Sequence, residues 1–180
     1  MTRIGLFGAS GFVGKNLLRL FSQGEIPCVA LNIRELGSVE IIAETLQNQH
    51  ITHVIYAIGK AHDLKKANKK KEAAYYHVNS ELAHDVALAC KQSKITQMIY
   101  LSSSKVYGNL TLTYHVEEDV VPLELDLYGE TKRYGEEQVL NCLRNSSTLP
   151  LIIRMPLVYG RSVKGNLRTL RRLLDYPVPL

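Results

Sequence analysis

Residues 8–14 read Gly-Ala-Ser-Gly-Phe-Val-Gly, between a short apolar run over 3–7 and a segment that carries Leu17, Leu18, Leu20 and Phe21 at helical spacing. No other feature of the 180-residue chain constrains the fold as strongly. Three glycines in seven residues let the backbone leave a strand, turn tightly and start a helix at once. They also keep side chains away from the helix start, where unpaired N–H groups and the positive end of the helix dipole favour an anion. Gly8, Ser10, Gly11, Phe12, Val13 and Gly14 are therefore candidate contacts to the pyrophosphate of a dinucleotide.

The rest of the chain repeats that alternation. Apolar runs over 28–33, 53–58, 97–102 and 151–154 have the length of buried strands. Between them, Ser38 is placed to cap a helix bearing Ile41, Ile42 and Leu46, and Val78, Leu82, Val86 and Cys90 recur every fourth residue in a long helix over 72–91. A further helix is expected over 128–144, and Leu167, Leu170, Leu173 and Leu174 mark a last short one. Strand and helix in this order predict an α/β fold, a doubly wound parallel sheet of the Rossmann-like kind. Ligands of such sheets lie beyond the carboxyl ends of the strands, and every motif discussed below falls at such an end or on the helix after it.

Composition narrows the class. Apolar residues at 46% and charged residues at 22% suit one globular domain, and no apolar run is long enough to span a bilayer. The N-terminus runs straight into the first strand without a signal-peptide layout, so a cytoplasmic location without a membrane partner is expected. Cys28, Cys90 and Cys142 are far apart in apolar stretches and read as buried free thiols, and no Cys/His grouping has metal-ligand spacing. The net charge of +5 comes without arginine–aromatic interleaving, which argues against nucleic acid and fits attraction of an anionic ligand. Lys65, Lys66, Lys69, Lys70 and Lys71 read as a solvated face, His62 as a loop histidine, and 109–125 as a long loop.

Two positions bear on the adenosine end of a dinucleotide. At the end of the second strand, where a carboxylate ordinarily takes the ribose hydroxyls, stands Asn32, and Arg34 comes two residues later. Without that carboxylate nothing repels a 2′-phosphate, and an arginine can pair with one. The cofactor is thus NAD or NADP, with NADP favoured. Tyr128 and Lys132 lie four apart on a predicted helix and so share a face. A free phenol titrates near 10, and a neighbouring ammonium is expected to lower that value enough for proton exchange with a substrate alcohol or ketone.

The Gly-x-x-Gly-x-x-Gly spacing resembles the short-chain dehydrogenase/reductase family, and its wording here is similar to the extended branch of that family. Leu101-Ser-Ser-Ser-Lys-Val-Tyr-Gly108 resembles the stretch that carries that branch's catalytic Ser/Thr. The resemblance places this role at Ser103, beside Tyr128 as proton donor and acceptor and Lys132 as holder of the nicotinamide ribose. It also implies that Ala57, Ile58 and Gly59 back the adenosine, that Asn79 matches a recurrent helix Asn, and that Met155, in Arg154-Met-Pro-Leu-Val-Tyr-Gly-Arg161, approaches the nicotinamide carboxamide. Val163-Lys-Gly-Asn166 resembles a stretch in bacterial 4-keto-reductases and epimerases of surface-polysaccharide synthesis, so Asn166 joins Ser103 and Ser104 as expected substrate contacts. Related dehydratases carry Asp and Glu where this chain has Ser104 and Lys105, which argues against dehydration.

The resemblance implies an oxidoreductase or isomerase acting on a nucleotide sugar, either a 4-keto-sugar reductase or a 4-epimerase, with the reductase favoured. It implies a Rossmann-like NAD(P)-binding domain over 1–160 and the start of a truncated substrate domain over 161–180, hence cofactor binding with weak or absent turnover. Homodimers through two helices are common in the family. The alternative is a non-catalytic NAD(P)-binding redox sensor or inactive truncated homologue; retention of Ser103, Tyr128 and Lys132 weighs against it.

Overall fold

The structure, a computed structural model, describes residues 1–61, 69–108, 118 and 124–160. Strand β1 (Ile4–Phe7) leads through the glycine turn into helix α1 (Phe12–Gln23), then β2 (Cys28–Leu31), a short α2 (Ile33–Leu36), α3 (Val39–Asn48) and β3 (His53–Tyr56). Next come α4 (Lys69–Tyr76), a π-helical turn (His77–Glu81) and α5 (Leu82–Gln92). Strand β4 (Gln97–Ser103), a 3-10 turn (Ser104–Tyr107), α6 (Leu127–Leu143) and β5 (Leu149–Met155) complete the order. All four strand pairings are parallel, in the order β2-β1-β3-β4-β5. The chain leaves β1 towards β2 and returns to β3 on the other side, so a crevice opens beyond the carboxyl ends of β1 and β3.

Both faces of the central strands are covered, which is why they read as unbroken apolar runs. One face buries Phe7, Val54, Tyr56, Met98 and Tyr100 against Ile42 and Leu46 of α3, Val86 and Cys90 of α5, and Val139 and Leu143 of α6. The other packs Ile4, Leu6 and Ile55 against Leu17, Leu18 and Phe21 of α1. Leu20 and Ile41, expected on buried stripes, are instead 54% and 48% exposed. At about 100° per residue, each falls more than a quarter-turn from the centre of its helix's apolar stripe.

The long helix expected over 72–91 is interrupted. Its π-helical turn points Asn79 and Ser80 inward, both buried. The Tyr56 and Tyr100 rings stack at 5.7 Å beneath it. Their hydroxyls donate to the Val78 and Asn79 carbonyls at 2.8 and 2.7 Å, so the irregular turn and the two buried phenols satisfy one another. The three cysteines are unpaired; Cys90 is buried, whereas Cys28 and Cys142 are half-buried, and burial raises all three thiol pKa values. Among the described residues no helix is long and apolar enough to cross a membrane, and no group of His, Cys, Asp and Glu is arranged to hold a metal.

Candidate functional site

At the exit of β1, Gly8 has φ +87°, a conformation natural to glycine. A Cβ there would stand 2.7 Å from the Ala57 carbonyl carbon and 2.9 Å from the Ile58 nitrogen, so the ends of β1 and β3 meet with no room for a side chain. A Cβ on Gly14 would run into the Gly8 carbonyl oxygen and lie 2.8 Å from Ala9 Cα. The turn is closed by the Gly11 amide, which donates to the Gly8 carbonyl at 2.9 Å. Gly11 caps α1 without a side-chain hydrogen bond, and the first helical turn holds no acidic residue. Ser10 and Gly11 are exposed, with Phe12 and Val13 half-buried behind them. Unfilled amide donors, a helix dipole and an absence of carboxylates together fit a bound pyrophosphate.

Ala57 and Ile58 are half-buried and Gly59 is exposed where β3 ends. Asn79 fixes this exit. Its Oδ1 accepts from the Lys60 amide at 2.8 Å, and its Nδ2 donates to the Lys60 carbonyl at 3.2 Å and to Thr131 Oγ1 at 3.0 Å. Asn79 thus ties the β3 exit to α6.

The second strand ends two residues earlier than expected. Asn32 is the N-cap of α2, its Oδ1 accepting from the Arg34 amide at 3.2 Å and its Nδ2 donating to Glu35. Its side chain is thereby engaged with its own helical turn, and Arg34 is exposed beside it. The Glu35 carboxylate held at this strand end is not apparent from the sequence; an Asn three residues before a Glu is its only signal.

Ser103 is the last residue of β4 and pairs in register with Met155, the last of β5. Its hydroxyl accepts from the Lys105 amide at 3.2 Å and is near enough to the Tyr128 phenol to lower its pKa. Tyr128 is half-buried in the first turn of α6, which Asp126 caps by accepting from the Gly129 amide at 2.7 Å. Burial holds the phenol above its ordinary pKa, and the Ser103 hydrogen bond opposes that rise. The lowered phenol expected from Lys132 is not found. The Lys132 amine, 1% exposed, donates to the Leu101 carbonyl at 2.7 Å and lies 3.9 Å from the Tyr100 ring centre, turned into the space between α6 and the sheet. Burial pushes its own pKa down to about 7, with the Glu136 charge opposing.

That depression couples stability to pH. Between about pH 7 and the ordinary lysine value near 10.4 the unfolded chain binds more protons at this position than the folded one, so Lys132's contribution makes stability rise with pH across that window. Urea unfolding at pH 7 and pH 9 is expected to show this rise, and Lys132→Met is expected to flatten it.

Ser104 is exposed in the 3-10 turn, and Lys105 lies 3.9 Å from Asp126. Asn166, His62, Lys65, Lys66, Arg161 and the helix expected around 167–174 lie outside the described residues. Sequence reasoning missed Glu136, buried on the inner face of α6 and paired with Arg154 Nη2 at 2.7 Å. Its position four residues after Lys132, and so on the same helix face, was the available signal.

The chain is 28% identical over 190 residues to a UDP-glucose 4-epimerase of Vibrio cholerae, covering 97% of this chain and 57% of the relative. It is 26% identical over 167 residues to a dTDP-4-keto-6-deoxy-D-glucose reductase of Streptomyces niveus, covering 92% and 56%. The chain therefore spans little more than half the length of these curated relatives. The crystal structure of dTDP-4-dehydrorhamnose reductase from Bacillus anthracis in complex with NADP shares the fold, with a TM-score of 0.77 at 21% identity over 97% of this chain and 60% of that one. The family model described as the RmlD substrate binding domain matches residues 2–180, and the chain belongs to that family.

Proposed function

We propose that this chain carries the dinucleotide site and the proton-transfer group of an NAD(P)-dependent enzyme that reduces or epimerises a nucleotide sugar. The observation that carries the reading is that Ser103, at the carboxyl end of β4, acts on the phenol of Tyr128 in the first turn of α6, one helical turn from Lys132. The glycine cradle stands at the same end of the same sheet. The curated relatives, an epimerase and a reductase of nucleotide sugars, support the substrate class.

In this reading the amides of Phe12 and Val13, at the start of α1, hold the pyrophosphate. Asn32 and Arg34 face the adenosine ribose, Ala57 to Gly59 back the adenosine, and Met155 borders the nicotinamide. Bound NAD(P) supplies or accepts the hydride. Ser103 donates a hydrogen bond to the sugar oxygen, and Tyr128 gives that oxygen its proton on reduction or takes it on oxidation. Lys132 provides positive charge next to the phenol once its amine turns outward. Ser104 and Lys105 supply no carboxylate beside the sugar, so no dehydrating acid–base pair is available from them. The reductase is favoured over the epimerase by the 163–166 stretch.

Titration of NADH and NADPH fluorescence with the purified chain tests the cofactor site; no binding of either at millimolar concentration would sink the proposal. Incubation with a dTDP-4-keto-6-deoxy sugar then separates the two activities, since a reductase consumes NAD(P)H in step with product and an epimerase does not. Arg34→Ala is expected to weaken NADP by about tenfold, the worth of one partly exposed phosphate pairing, and to leave NAD within about twofold. Equal loss for both cofactors in the same titration would remove Arg34 from the 2′-phosphate.

A further inference from the structure

The buried Ser102 and Glu136 side chains and the partly exposed Arg154 form a polar network that the proposed proton transfer does not itself use. Glu136 is 3% exposed in the middle of α6, where an unpaired carboxylate would be untenable. Its Oε1 accepts from the buried Ser102 hydroxyl and from Arg154 Nε at 3.1 Å, and its Oε2 from Arg154 Nε at 3.1 Å and Nη2 at 2.7 Å. Ser102 and Arg154 are register partners on β4 and β5, one residue before Ser103 and Met155. Arg154 also lies 4.8 Å from the Tyr107 ring centre and donates through Nη1 to the Glu118 carbonyl at 2.6 Å. A single ion pair thereby joins two strand ends, the 3-10 turn, residue 118 and the helix that bears Tyr128 and Lys132.

We infer that Glu136 is a positioning residue for the Ser103–Tyr128–Lys132 group: its carboxylate, clamped by Arg154 and Ser102, locks the ends of β4 and β5 to α6 and places a fixed negative charge one helical turn from the Lys132 amine. The inference rests on the proposed function for its meaning in catalysis, but the geometry stands by itself. The titratable groups facing that amine are Tyr100 from β4 and Glu136 from α6, with Tyr128 beside Tyr100 and Arg154 of β5 behind Glu136. Of these, Glu136 supplies the carboxylate; together with the Leu101 carbonyl and the face of the Tyr100 ring it favours the charged amine, while burial works against the charge. Lys132 titrates at about 7 with Glu136 present. Without the carboxylate, the amine would be mostly neutral at physiological pH and would bring no charge to the phenol on turning outward.

The test is a 13C NMR titration of the Lys132 Cε resonance in the full 180-residue chain, assigned by its loss in Lys132→Met. In Glu136→Gln the Lys132 midpoint is expected to fall by about one pH unit or more, while Glu136→Asp, which keeps the charge, restores most of it. Should Glu136→Gln fail to fold, the double variant Glu136→Leu/Arg154→Met removes both charges together, a replacement that buried ion pairs commonly tolerate; there too the midpoint is expected below the wild-type value. An unchanged midpoint in whichever variant folds overturns the inference. The readout needs neither cofactor nor turnover, so failure to bind NAD(P) would sink the functional proposal and leave this measurement intact. Where turnover is measurable, Glu136→Gln should move the alkaline limb of kcat to lower pH with KM within about twofold, a shift that loss of packing alone would not produce.

Discussion

Gly14→Val is expected to leave no measurable dinucleotide binding and to lower stability by roughly 1–3 kcal/mol, the usual cost of forcing carbon into a filled site. For a chain of this length that corresponds to a fall in Tm of about 2–12 °C. The cause is local and steric. The added carbon atoms must displace the Gly8 carbonyl and Ala9 Cα, which together form the floor of the turn. Moving that floor carries Gly8 away from the Ala57 backbone and disturbs the amides at the start of α1. Gly24→Ala is the control: a Cβ there meets nothing nearer than 3.5 Å, and a change within about 0.5 kcal/mol is expected. Isothermal titration with NADP and a thermal melt on both variants make the comparison. Wild-type affinity in Gly14→Val would show that the glycine turn is not where the dinucleotide sits.

Tyr128→Phe is expected to reduce turnover of a nucleotide keto-sugar by about 10²–10⁴-fold, the range for loss of a positioned acid or base, with NAD(P)H affinity within about twofold. The ring is half-buried and stays in place in the variant, so packing is kept. What disappears is the oxygen beside Ser103 that passes the proton in the proposed reaction. Burial holds the phenol above its ordinary pKa in the unliganded chain, so it is the protonated acid at neutral pH and is set for reduction. Oxidation of an alcohol needs the phenolate, and therefore the outward turn of Lys132. Wild-type rates in Tyr128→Phe, with the same cofactor affinity, would move the proton transfer to another group and promote the non-catalytic reading of this site.

Much of this was legible in the sequence because the sheet is buried on both sides. Ile4-Gly-Leu-Phe7 and His53-Val-Ile-Tyr56 can hardly be anything but interior strands, and the glycine turn after β1 fixes where α1 begins. Errors arose where one side chain decides. The Asn32 amide folds back to cap α2 and stops β2 short, a contest between ladder and cap that apolar runs do not record. Leu20 and Ile41 are apolar and helical yet face outward, because a stripe is set by angle and not by composition. Asn79 could not be given a partner from sequence: Lys60 lies 19 residues away and Thr131 lies 52 away. Spacing likewise put Tyr128 and Lys132 on one helix face but could not say that the amine turns inward to a β4 carbonyl. Its depressed pKa is a consequence of that direction alone.

The stacked Tyr56 and Tyr100 rings also determine how the protein reports on itself. The chain has ten tyrosines, three phenylalanines and no tryptophan, so its intrinsic ultraviolet emission is dominated by phenols. Two of those phenols sit face to face in the interior, and the ammonium or amine of Lys132 rests against one of them. The near-ultraviolet dichroism of this protein should therefore carry a strong signature of that single locus, and a spectroscopist can watch the interior beneath the reaction centre without adding a label.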